Sequence, residues 1–330
     1  MTAGESRHGG RGHLHGGVDP AVLADARGAR AVKASLLWLL ATALFQGVVV
    51  WFSGSVALLS DTIHNFGDAA TAVPLWAAFR LARRRPSPRF TYGYGRLEDL
   101  AGVAVVMAIL VSAVAAAEQS VARIYHPQPV RNLWAVALAS IAGCAGNEAV
   151  ARFRMKVGRE IGSMALVAEG HHARGDALTS LAVLVGSLGV WLGYPLADPV
   201  VGLLIAGAIF RIAWVSGRSV FTRLLDGVEP EVTDSVRQAA AATPGVRDVT
   251  EIRVRWLGHR LHAEVNVAVA PDLSVEKGHD IAGAVRHRLM HRVPYLSNAT
   301  IHVDPAGVSG EEHHRTGAHR HDRSPPHSHG

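Results

Sequence analysis

The sequence predicts a polytopic α-helical membrane domain of six transmembrane helices, followed by a small soluble α+β domain of order αββαβ. Three observations lead there. Apolar runs of about twenty residues, the length of a helical bilayer span, recur between about residues 34 and 217. The connectors alternate between strongly basic and nearly uncharged, as the two sides of a membrane require. After "RLLDGVEPE" the pattern changes to short helices and alternating strands.

The chain of 330 residues is 49% hydrophobic, with a mean hydropathy of only +0.18. That average mixes an apolar middle with polar, His-containing ends. The expected layout is a His-containing polar tail over 1–33, a six-helix membrane domain over 34–217, a linker and soluble domain over 218–305, and a His-rich tail over 306–330. Spans are expected near 34–53, 56–80, 97–121, 132–152, 162–192 and 198–217. "WFSG" and "GYPLADP" carry no Lys or Arg, whereas "RLARRRPSPRFTYGYGR" and "RFRMKVGR" are rich in them. Both basic connectors and both termini therefore belong in the cytoplasm. Arg123 and Arg131, between spans three and four, run against the rule. Small residues crowd spans five and six (Gly186, Gly189, Gly193, Gly202, Gly207), a composition that lets helices approach closely in lipid.

In the soluble part, Glu231 to Ala242 reads as a helix. "DVTEIRVRW" and "RLHAEVNVAV" read as strands, joined by a turn at Gly258. In the second strand Leu261, Ala263, Val265 and Val267 share one face. Ser274 caps an amphipathic helix ending at Arg292, and "NATIHVDP" is a last strand. The single cysteine, Cys144, excludes an internal disulfide framework and a multi-thiolate zinc site. The net charge of +6 follows Arg clusters beside the spans, so topology accounts for it and no nucleic-acid partner is expected.

The chemistry sits in two fragments. "DTIHNFGD" places His64 and Asp68 four residues apart on one helix face, and "HHARGD" gives His172 and Asp176 the same spacing. Two such pairs supply two imidazoles and two carboxylates, a set suited to tetrahedral Zn²⁺. An aspartate at mid-membrane costs roughly 2.5–3.5 kcal/mol, so the two together cost about 5–7 kcal/mol unless a cation or protons neutralise them. Asp61 shares roughly the face of His64 and fits a supporting or capping role. His171 points about 100° away from His172 and is not expected to ligate.

These residues resemble the cation diffusion facilitator family of divalent-metal transporters. The likeness rests on "GSVALLSDTIHNFGDA", "FTYGYGRLEDLAG", "HHARGDALTS" and "IHVDP", and spans nearly the whole chain between its His-rich ends. It implies six membrane helices, a cytoplasmic ferredoxin-like domain, a homodimer in the lipid bilayer, and proton-coupled metal efflux by alternating access. Carried over by position, the transport site is His64, Asp68, His172 and Asp176, and the two-His, two-Asp set implies zinc as substrate with H⁺ as coupling ion. The loop "SPRFTYGYGRLE" has Phe90 and Tyr94 where a second family site needs imidazoles, so that site is expected to be absent. His279, His302 and Asp304 match positions of a regulatory metal site in the soluble domain, while Thr250 and Asn266 replace two other ligands there.

Other readings remain open at this stage. Cd²⁺, Co²⁺, Ni²⁺ or Fe²⁺ could replace zinc, and the same ligands suit a metal-gated channel or a non-transporting sensor. An intramembrane metallopeptidase is disfavoured, since no His-Glu-x-x-His occurs and no general-base Glu accompanies the paired ligands; the chain is read as a non-enzyme. The His-rich ends fit either loose metal capture or plain polar tails. Composition suggests a prokaryotic inner membrane.

Overall fold

The computed structural model describes residues 20–53, 72–125, 133–194 and 196–307. Its helices are α1 (Pro20–Ser53), α2 (described over Ala72–Ala82), α3 (Arg96–Tyr125), α4 (Leu133–Ile161), α5 (Met164–Trp191), α6 (Ala197–Leu224), α7 (Pro230–Ala241) and α8 (Val275–Arg292). The strands are β1 (Asp248–Leu257), β2 (Arg260–Val269) and β3 (Leu296–Pro305).

Among the described residues, four helices are long and apolar enough to cross a membrane: Ala26–Phe45 within α1, α3, α5 and α6. The expected span near 56–80 lies mostly outside the described residues, and its described part is the short apolar helix α2. From residue 133 on, the expected span near 132–152 lies within α4, whose second half carries Glu148, Arg152, Arg154, Lys156 and Arg159. Six spans are thus an expectation that four helices meet by length and composition. Large apolar side chains such as Leu44, Val111, Leu188 and Trp214 face outward along these helices. A water-soluble protein would not leave so much apolar surface bare. Trp51, Tyr125, Trp134, Trp191 and Tyr194 are all exposed and sit at the ends of α1, α3, α4 and α5 remote from the C-terminal domain. Aromatic rings gather in this way at a membrane–water boundary.

Two boundaries differ from expectation. Residues 20–33 are helical, not a tail. Pro20 fits the first helical turn, where its missing N–H costs nothing. Ala29, Ala31 and Val32 then bury against Ala72, Leu75 and Phe79 of α2. Average hydropathy hid this, because Arg27, Arg30 and Lys33 point outward from the same turns. Likewise "RFRMKVGR" is not a connector but the end of α4. Gly162 and Ser163 alone separate α4 from α5, with Ser163 Oγ accepting from Leu166 N at 3.1 Å as the α5 cap.

Packing inside the membrane domain is close. Side chains at Gly186, Gly189 or Gly202 would run into Asp198, Ala197 and Ser120 respectively, whereas Gly193 and Gly207 face open space. Of the two exceptions to the charge rule, Arg131 lies outside the described residues, and Arg123 donates to Asp198 Oδ2 at 2.7 Å. Its charge is compensated across the gap between α3 and the start of α6.

The C-terminal domain has the element order α7-β1-β2-α8-β3, as expected. Its sheet is mixed, in the order β1-β2-β3, with β1 antiparallel and β3 parallel to β2. Leu261, Ala263, Val265 and Val267 of β2 are buried under Val236, Ala240, Val285 and Leu289 of α7 and α8. Ser274 caps α8, accepting from Lys277 N at 3.3 Å. Tyr295 O–H donates to Arg159 O at 3.0 Å, and Arg223 lies 3.8 Å over the Trp256 ring, so this domain packs on the ends of α4 and α6. Leu289 is fully buried, so Leu289→Ala should cost about 2–5 kcal/mol. Denaturant titration of the full chain, following hydrogen exchange over residues 230–305, checks this.

Candidate metal centre

The described half of the candidate site lies on α5. His172 is 3% exposed and Asp176 7% exposed, one helical turn apart on one face. His171 is only half-buried. His64 and Asp68, with Asp61, lie outside the described residues. Among the described residues, no group of three or more His, Cys, Asp or Glu side chains could hold a metal ion. α5 therefore presents one imidazole and one carboxylate, half of a tetrahedral set.

α5 is held against α4 by a close approach just before this pair. A Cβ on Gly170 would lie 2.6 Å from Met155 Cγ and 3.0 Å from Ala151 O. One turn before His172, Glu169 is fully buried and accepts from Arg154 Nη1 of α4 at 3.0 Å. Arg154 Nε also donates to Ser35 Oγ of α1 at 2.8 Å, so a buried ion pair ties three helices together beneath the candidate ligands. A second pair lies farther out. Glu148 accepts from Arg174 Nη2 at 2.9 Å and from Arg152 Nε at 2.7 Å. Sequence reading missed the Arg154–Glu169 pair because it counted Arg154 among connector charges. The available signal was Glu169 itself, a carboxylate inside an apolar helix that must have a partner.

In the C-terminal domain, His302 Nε2 donates to Asp304 Oδ1 at 2.9 Å, joining two of the three candidate regulatory residues. Asp304 is buried and His302 exposed. His279 is exposed on α8 and forms no metal-holding group of three with them. Asn266 sits across from His302 in the parallel β2–β3 pairing, and its amide donates to Glu251 Oε2 at 3.1 Å. Thr250 falls at the irregularity between Val249 and Glu251. His262, also on β2, is half-buried against the Tyr92 ring, with Arg255 and Arg260 beside it. In the loop before α3, Phe90 and Tyr94 pack ring on ring at 5.1 Å.

Two predictions follow from these contacts. Breaking one side of a buried pair costs about 3–5 kcal/mol, while replacing both with apolar groups is far milder. Arg154→Met should therefore destabilise the membrane domain by that amount, and Arg154→Met/Glu169→Leu should recover most of it in thermal melts in detergent. Burial, followed by the Arg255 and Arg260 charges, pushes the His262 pKa below its usual 6.5. The folded chain thus holds His262 neutral where the unfolded chain would bind a proton, and stability falls as pH drops below about 6.5. His262→Gln should flatten that part of the stability–pH curve.

Comparison with known proteins places the chain. Residues 32–225 match the family model described as the cation efflux transmembrane domain, and residues 228–306 match that of the cation efflux protein cytoplasmic domain. A probable cation efflux system protein of Mycobacterium tuberculosis is 53% identical over 289 residues, covering 88% of this chain and 87% of that one. The magnetosome protein MamB of Paramagnetospirillum magneticum is 27% identical over 265 residues, covering 80% of this chain and 89% of its own. Metal tolerance protein C1 of Arabidopsis thaliana is 26% identical over 272 residues, covering 78% of this chain and 58% of its own. Two domain matches in the right order, and a close relative spanning nearly the whole length, agree with the membrane helices and the mixed-sheet domain. The chain belongs to the cation diffusion facilitator family, the membrane transporters that carry out cation efflux.

Proposed function

We propose that the chain exports Zn²⁺ in exchange for protons, with the metal held by His64, Asp68, His172 and Asp176. The observation that carries this reading is the buried His172–Asp176 pair on α5, in a helix otherwise apolar enough to span a membrane. A carboxylate there is costly unless a cation or proton neutralises it. Two imidazoles and two carboxylates match the ligand types and number that Zn²⁺ prefers. Imidazole has an ordinary pKa near 6.5, so protons compete with the metal for the same lone pairs near neutral pH. Metal arriving from the cytoplasm displaces protons, the helices carrying the ligands change their tilt, and protons from the other side eject the metal. A site of four strong ligands favours this cycle over rapid channel flow, which needs weak or multiple sites.

The basic ends of α2 and α4, at the side of the C-terminal domain, support a cytoplasmic location for that domain and both termini in a prokaryotic inner membrane. The match to a domain model of cation efflux proteins over residues 228–306 supports a homodimer built through the C-terminal domain. His302 and Asp304, which lie together, are the residues we assign to an added regulatory ion; His279 does not complete a group of three with them.

Metal-resolved uptake into everted vesicles tests the reading. His64→Ala and Asp176→Ala should each lower zinc uptake by about a hundredfold, the loss of roughly 3 kcal/mol. Collapsing the pH gradient should slow wild-type uptake. Zinc movement indifferent to the gradient would remove proton coupling, and full activity in Asp176→Ala would remove the site.

A further inference from the structure

The turn between β1 and β2 does not end in solvent. Its tip, Leu257 to His259, is pressed into the base of α2 and α3. Gly258 N donates to Asp99 Oδ2 at 3.1 Å, and His259 Nδ1 donates to Glu98 Oε2 at 2.6 Å. All three side chains are buried: Glu98 is 1%, Asp99 7% and His259 3% exposed. Both carboxylates lie in the first turn of α3, where the helix N-terminus also favours negative charge. The backbones meet without a gap. A Cβ on Gly95 would stand 2.8 Å from Leu257 O, and one on Gly258, whose φ is +63°, would stand 2.8 Å from Gly95 O. On its other side the His259 ring lies 6.0 Å from the ring of Phe79, which is fully buried in α2 and also fills the space beside Gly28 of α1.

We propose that this tip, seated by Glu98 and His259, is a positioning element that couples the C-terminal domain to α2. Three features carry the inference. The tip joins β1 directly to β2, the middle strand of the sheet, so it moves with the domain as a whole. A buried, charge-assisted hydrogen bond with no room around it transmits displacement, whereas an exposed ion pair would yield. The element it seats against through Phe79 is α2, not α6, the helix that continues into the C-terminal domain. Phe79 thus touches both α1, at Gly28, and the C-terminal domain, at His259, within a cluster that also includes Ala101, Ile161 and Leu166 of the neighbouring helices. Where the proposal reaches the metal, it rests on the transport reading above, because His64 and Asp68 precede α2 in the chain. The mechanical link does not depend on that reading.

The test compares hydrogen exchange in full-length wild type, His259→Ala and Gly95→Ala with zinc uptake by the same variants in everted vesicles. Gly95→Ala leaves both charged partners in place but wedges a methyl against Leu257 O. In both variants, exchange over residues 72–82 should quicken about tenfold or more, because His259→Ala removes a charged hydrogen bond and Gly95→Ala displaces the tip that makes it. Protection in α7, α8 and β3 should be unchanged. Maximal uptake rate should fall about fivefold or more with the half-saturating zinc concentration unchanged, because ligand geometry is spared and the helix movement is not. Faster exchange confined to residues 256–260, with normal uptake, overturns the proposal, as does loss of protection throughout the C-terminal domain. If wild type moves no zinc yet residues 72–82 still follow the tip, the transport reading fails and the coupling stands. If uptake is zinc-dependent and normal in both variants, the coupling alone fails.

Discussion

Charge placed where water is absent is the constraint that organises this molecule. Glu169, His172 and Asp176 all project from an apolar helix, and each is nearly or fully buried. None can be left there without compensation, because the desolvation of a charge in such surroundings exceeds what the packing around it returns. Glu169 has its answer in Arg154, and with it the assembly of α1, α4 and α5. The Arg154–Glu169 pair and the His172–Asp176 pair therefore sit one turn apart on the same helix. The first fixes the helix in place, and the second is the half of the site that the proposed function assigns to cargo.

The same logic repeats at the domain boundary and at the far end of the bundle. Glu98 and Asp99 are satisfied by the hairpin tip, and Asp198 by Arg123. Each pairing joins elements distant in sequence, and each lies where a loop or helix end would otherwise be free to drift. Hydrophobic burial supplies little directional information between helices surrounded by lipid. Polar contacts of this kind are what select one arrangement of spans over its neighbours.

How much of this was legible follows from range. Local patterns were readable. The β2 alternation placed Leu261, Ala263, Val265 and Val267 inward, Ser274 marked a helix start, and the four-residue spacing of His172 and Asp176 put both on one face of α5. Properties that depend on a distant partner were not. Window hydropathy read residues 20–33 as a tail, because their apolar face is narrow and its partners, α2 and the helices beside it, are distant in sequence. Arg154 counted as a connector charge, because nothing near it in sequence reveals Glu169. Glu98 and Asp99 stood only within the motif "FTYGYGRLEDLAG", and Gly258 read as an ordinary turn glycine, until the fold brought them together. The likeness of "DTIHNFGD" and "HHARGD" to a known family led to the proposed ligands, but the supports around His172 and Asp176 came from tertiary contact alone.

The two-residue link between α4 and α5 has a mechanical corollary. With only Gly162 and Ser163 between them, and with Met155 filling the notch at Gly170, these helices have no slack in which one could slide past the other. A lever that swings α5 must carry α4 along, and through Arg154 it also pulls on Ser35. The smallest unit able to reorient is therefore a helical hairpin, and in the proposed cycle the cost of turning it would include what it leaves behind on α1, α3 and α6.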